Sequence, residues 1–146
     1  MKKTYTVIAL LVLLGSMAVA ANAQNSGRTQ MKANIPFQFN VGETSLPAGE
    51  YTIAQVNPAS DQVILRIRAN DGSRSAMVQV SSMMGKTADS STLVFHRYGN
   101  KYFFAQAWID GDSEGLCAPR SRTERTTQKE LSALNAQPEN IALRVR

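Results

Sequence analysis

The feature that most constrains this chain is the stretch from Leu93 to Ile109, where two runs of strand-forming residues meet at Gly99-Asn100. Leu93-Val94-Phe95-His96-Arg97-Tyr98 and Lys101-Tyr102-Phe103-Phe104-Ala105-Gln106-Ala107-Trp108-Ile109 flank two residues that both tolerate positive φ, which is the pattern of a β-hairpin with a two-residue turn. Pairing outward from the turn sets Tyr98 opposite Lys101 and Phe95 opposite Phe104. Leu93, Phe95, Arg97, Tyr102, Phe104 and Trp108 then share one face. The other face holds Val94, His96, Tyr98, Phe103, Ala105, Ala107 and Ile109, which is also too apolar for open water, so the hairpin is expected to be covered on both sides.

A second hairpin has the firmest register. Asp71-Gly72 is a preferred two-residue turn, and pairing from it sets Ile67 opposite Ala76, Leu65 opposite Val78 and Val63 opposite Val80. The opposite face, with Arg66, Arg68, Arg74, Ser75, Met77 and Gln79, is expected to be solvated, because a one-residue slip would exchange the two sets. Upstream, Met31, Ala33, Ile35, Phe37, Phe39 and Val41 alternate with polar residues and predict one half-buried strand, with Pro36 marking an edge position. Leu46-Pro47-Ala48-Gly49 predicts a β-turn into a strand at Tyr51 to Val56, closed by Asn57-Pro58-Ala59-Ser60. Downstream, Ser121-Arg122-Thr123-Glu124 is a capping box that predicts a helix to about Asn135. Leu131, Ala133 and Leu134 form a narrow apolar stripe suited to cover the second face of the central hairpin, and Ile141, Leu143 and Val145 predict a last strand.

Lys2 and Lys3, an uncharged apolar run and Ala21-Asn22-Ala23 together read as a signal peptide over residues 1–23, with cleavage after Ala20 as the alternative. The apolar run is short for a membrane span, and no Cys follows either site to carry a lipid. The expected organisation is a signal peptide at 1–23, a flexible leader at 24–30 and a single β-rich domain at 31–146, exported to the periplasm or the cell exterior with no stable membrane insertion after cleavage. Removing Lys2 and Lys3 from 16 basic residues leaves 14 against 11 acidic ones, a net charge of +3. These are scattered, without the dense basic stripe of a nucleic-acid binder, so no nucleic-acid partner is expected. Cys117 is the only cysteine, so no internal disulfide forms; beside Ala118-Pro119 it reads as a loop residue.

His96 is the only histidine, which excludes a His-based metal cluster and leaves any histidine-dependent catalysis to one residue. An enzyme at His96 requires the imidazole to be accessible and beside an acid or a hydroxyl. Asp110-Gly111-Asp112-Ser113-Glu114-Gly115 repeats the opening of a calcium loop, but the twelfth position is Ser121 where a bidentate Glu is needed, so a solvated acidic turn is expected and no metal or other cofactor. Arg97, Tyr102, Phe104 and Trp108 are the candidate ligand-binding residues, since aromatic rings with a cationic rim suit sugars or aromatic ligands.

At Ala33-Asn34-Ile35-Pro36-Phe37-Gln38-Phe39, Leu46-Pro47-Ala48-Gly49-Glu50-Tyr51, Leu93-Val94-Phe95-His96-Arg97-Tyr98-Gly99 and the Ser121/Glu124 pair, the chain resembles a family of uncharacterised small exported proteins of soil bacteria. The resemblance spans about Ala33 to Glu124 and implies export and one small domain, with no activity or binding residues to carry over. The expected fold is mainly β, an antiparallel sandwich or small barrel of about seven strands with one C-terminal helix. The expected function is a non-enzymatic binding module for a small ligand or an envelope component. The alternatives are a structural or assembly protein of the envelope acting through strand edges and, behind both, an enzyme using His96.

Overall fold

A computed structural model describes residues 30–57, 60–134 and 136–146. The expected signal peptide lies outside these residues, as does the expected leader except for Gln30, which already pairs with Ala54 in the first strand. The elements in chain order are β1 (Gln30–Ile35), β2 (Phe39–Val41), β3 (Thr44–Leu46), β4 (Gly49–Gln55), β5 (Val63–Ala69), β6 (Ser75–Met84), β7 (Thr92–Tyr98), β8 (Lys101–Trp108), β9 (Glu114–Cys117), the helix α1 (Arg122–Ala133) and β10 (Glu139–Arg144). The chain is mainly β with one C-terminal helix, as the alternating pattern predicts.

The ten strands form one sheet in the order β1-β4-β5-β6-β9-β8-β2-β3, with β7 branching from β8 and β10 pairing β7. Past the end of β10 the chain returns to the start of the path: Lys32 N–H donates to the Arg146 carbonyl at 2.7 Å and Arg146 N–H to the Lys32 carbonyl at 3.1 Å. These two bonds join the end of the β7–β10 branch to β1, the first strand of the path.

Three strands beyond the expected seven come from identifiable places. The alternation from Met31 to Val41 persists in burial, yet pairing stops at Pro36, which has no N–H to give; β1 pairs β4 before it, and β2 pairs β3 and touches β8 after it. Pro36 therefore marks a change of partner, and on the free flank of β1 Lys32 is paired by Arg146. Thr44 to Leu46, running into the expected turn at Leu46, forms β3, and Glu114 to Cys117 forms β9 between the far half of β6 and β8. Cys117 thus lies in a strand, opposite Ser81 and Gln106, and not in a loop.

The β5–β6 register is the expected one in every pair: Val63 with Val80, Leu65 with Val78 and Ile67 with Ala76. The Asp71 carboxylate accepts from Ser73 N–H at 2.9 Å and Gly72 sits at φ 75°, so side chain and backbone both shape the turn. The β7–β8 tip also follows the expected pairing from Tyr98–Lys101 to Phe95–Phe104. Beyond it Val94 faces Gln106, so Ala105 is an extra residue on β8, a β-bulge that reverses the faces for the rest of the strand. Ala107, opposite Leu93, joins the core, and Trp108 moves to the outer face with Gln106. Phe95 is at the centre of the inner layer, edge-on to Phe37 at 5.2 Å, Phe39 at 5.5 Å and Phe104 at 6.0 Å.

Candidate functional site

The outer face of the hairpin tip is covered by α1, but not through the apolar stripe. Leu134 is 77% exposed and Ala133 is exposed, whereas the buried helix residues are Glu124 and Thr127. On β7, alternation puts His96 and Tyr98 on the same face, and one carboxylate meets both. Glu124 Oε1 lies 2.6 Å from His96 Nδ1 and accepts from the Tyr98 hydroxyl at 3.0 Å. Arg120 Nε stands 3.8 Å from the same oxygen. Glu124 is 2% exposed, so these partners replace the water its charge has lost. Burial, followed by the hydrogen bond and the charge of Glu124, pushes the Tyr98 phenol up to about 12.

This arrangement diverts one half of the capping box. Ser121 Oγ accepts from Glu124 N–H at 3.1 Å as expected, but the carboxylate of Glu124 turns to the sheet. Its place at the helix start is taken by Glu43 from the β2–β3 turn, which accepts from Arg122 N–H at 2.7 Å, from Thr123 N–H at 3.3 Å and from the Thr123 hydroxyl. The Thr123 hydroxyl, ahead of the backbone donors, holds the Glu43 carboxyl below its ordinary value. Neither carboxylate partner was legible from local spacing. The signal for Glu124 was the thinness of the apolar stripe, which left α1 little but polar side chains with which to dock.

The four candidate ligand residues do not assemble into one surface. Arg97 and Tyr102 face each other as expected, with the guanidinium 5.8 Å from the ring centre, but Tyr102 is stacked on Phe37 at 3.9 Å and Arg97 is bonded to the Gly99 carbonyl. Phe104 is a core residue, 3% exposed. Trp108 is at the other end of β8 on the opposite face, because of the bulge. Its indole N–H donates to Gln106 Oε1 at 2.9 Å, and its ring lies so close to Gly85 and Gly115 that a Cβ on either would come within 2.4 Å and 2.7 Å of it. Only glycine admits the ring there. Trp108 also borders an open groove with Met83, Lys86, Ser90 and Arg144.

At that same end of the sheet, facing inward, the core stops short of filling its space. A cavity of about 160 Å³ is lined by Met31, Ile53, Leu65, Ile109 and Leu116, with Gln55, Asp112 and Glu114. The register explains the set: Met31 lies opposite Ile53, Gln55 opposite Leu65, and Glu114 and Leu116 share one face of β9 while Gly115 between them turns to Trp108. Sequence reasoning missed this site because its apolar members read as ordinary core.

The acidic turn is held by its backbone. Gly111 N–H donates to the Ala88 carbonyl, Ala88 N–H to the Asp112 carbonyl and Gly85 N–H to the Ser113 carbonyl, all at 2.8–2.9 Å. Among the described residues, no three His, Cys, Asp or Glu side chains come together to hold a metal ion, and no helix is long and apolar enough to cross a membrane. Comparison with protein-family models, curated proteins and solved structures returns no match for this chain.

Proposed function

We propose that this protein is an exported, non-enzymatic module that binds a small ligand and takes an apolar group of it into the cavity between Met31, Ile53, Leu65, Ile109 and Leu116. The carrying observation is that cavity. Protein interiors are close-packed, and an apolar space of about 150 Å³ admits a benzene-sized group, so this one has room for a single ring or a short branched chain. The candidate contact surface accordingly moves from the aromatic hairpin face to the end of the sheet where β1, β4, β5 and β9 leave space. Assembly through the Pro36 strand is the alternative reading, with Arg146 pairing Lys32 along that edge.

A thermal-shift series with small ring compounds tests the reading, because a ligand that binds only the folded state raises the midpoint. Wild-type protein is expected to shift by several degrees with a ring-sized compound, and Ile109→Phe, which fills the half-buried rim, to lose the shift. A shift that survives the filled cavity would place binding elsewhere and overturn the assignment.

One observation favours a second reading, an enzyme acting through His96. The imidazole retains 18% exposure of its side chain, and its Nδ1 is held by the Glu124 carboxylate, an acid partner of the kind that orients a histidine general base. Against it stands the structural use of the same carboxylate, which joins α1 to the hairpin. Hydrolysis of ester or glycoside substrates that disappears in His96→Gln would establish this reading over the first.

A further inference from the structure

We infer that the cavity is selective for an organic cation, a ring or short chain carrying an ammonium or amidinium group; this rests on the ligand-binding reading of the same site. The apolar walls recognise the hydrocarbon part of a ligand but do not choose among head groups. The choice falls to the three polar residues that line the space, Gln55, Asp112 and Glu114.

Glu114 occupies the same face of β9 as Leu116, the face that lines the cavity, where an alternating strand ordinarily places an apolar residue. Asp112 follows three residues after Ile109 and lines the same space, on a turn whose carbonyls are tied to Gly85 and Ala88. Its backbone is therefore fixed before any ligand arrives, and little ordering remains to be done on binding. The ion pairs among the described residues join His96, Arg120 and Glu124, or Arg97 and Glu139, and none uses Asp112 or Glu114.

A pair of carboxylates on a turn is by itself a solvated feature. Here the pair borders an apolar cavity, which places a ligand's charged head beside it once the hydrocarbon part is seated. Without Lys2 and Lys3 the chain is still basic, with a formal charge of +3, so an acidic cavity lining runs against the sign of the molecule as a whole. Cations are drawn to it and anions are not. A bare metal ion is a poor match, since two carboxylates and an amide among aliphatic side chains fall short of the six to eight oxygens calcium takes.

The test is a titration of the purified protein with benzylammonium, benzyl alcohol, benzoate and calcium chloride, followed by calorimetry or ligand-observed NMR. Benzylammonium is expected to bind on the order of tenfold more tightly than benzyl alcohol, with benzoate weaker than both. The advantage should shrink as salt is raised, because the carboxylates are exposed. Glu114→Gln and, independently, Asp112→Asn are each expected to weaken benzylammonium severalfold and leave benzyl alcohol unchanged. Equal binding of the ammonium and the alcohol would overturn the cation selectivity and leave the cavity reading standing. Binding of calcium alone, or of none of these probes, would overturn both.

Discussion

Two glutamates at opposite ends of the β7–β8 hairpin have opposite surroundings. Glu124, at the tip, is 2% exposed and its Oε1 meets an imidazole, a phenol and a guanidinium. Glu114, at the base, is exposed, has no ion-pair partner among the described residues and borders a space lined by aliphatic side chains. The first carboxylate is part of the scaffold, because its bonds to His96 and Tyr98 join the helix to the sheet. The second remains free to meet something from outside. Where polar groups are fully satisfied by the protein the role is architectural, and a binding role is to be sought where they are not.

The sharpest way to break this contrast is to delete each carboxylate in turn. Glu124→Ala leaves His96 and Tyr98 without their shared acceptor in a buried setting and is expected to cost about 3 kcal/mol in urea denaturation. Glu114→Ala should stay within about 0.5 kcal/mol of wild type in the same experiment, as surface substitutions do. Similar losses from both would remove the distinction. Next in size is Gly115→Ala, which drives a Cβ into the Trp108 ring and is expected to cost about 1–3 kcal/mol. Its indole emission should shift toward that of a solvated ring. That result would show that the base of the hairpin is tightly packed on its outer side and open only on its inner one.

Smaller effects at the tip and the helix start depend on pH. The Tyr98 phenol is raised to about 12 in the folded protein, against an ordinary value of 10.0, so the fold favours its neutral form. The stabilisation is complete below pH 10 and is lost as pH rises toward 12. Wild-type midpoints should fall across that window more steeply than those of Tyr98→Phe, and parallel curves would remove Tyr98 from the tip cluster's pH response. The Glu43 carboxyl is lowered from its ordinary value of 4.5, so its contribution is present above that pH and declines as pH falls through its depressed value. Glu43→Gln should flatten this acid limb in a helix signal followed by circular dichroism, the smallest of the expected changes.

What was legible in the chain depended on how strongly a wrong choice would be penalised. The β5–β6 register was readable because slipping Leu65 and Ile67 by one place would bury Arg66 and Arg68. The β7–β8 tip was readable from its turn. The bulge at Ala105 was not, because Phe103, Phe104, Ala105 and Ala107 are apolar on either face and the pattern does not register the extra residue. That blind spot misplaced Trp108 and dispersed the proposed aromatic site. The helix was legible in position and cap but not in docking face, since the partner of Glu124 is set by tertiary packing some twenty-six residues away. The cavity was hidden for a more general reason: a sequence lists what fills a core, and an unfilled volume has no residue of its own.

The pair of bonds between Lys32 and Arg146 also bears on the order of assembly. Emerging from a ribosome at about 5–20 residues per second, β1 and β4 appear within seconds of each other, whereas Arg146, the partner for the other flank of β1, comes 114 residues after Lys32. During that interval the growing sheet has an open flank able to pair with a neighbouring chain. The polar side chains of Lys32 and Asn34 and the interruption at Pro36 shorten the vulnerable stretch to a few residues.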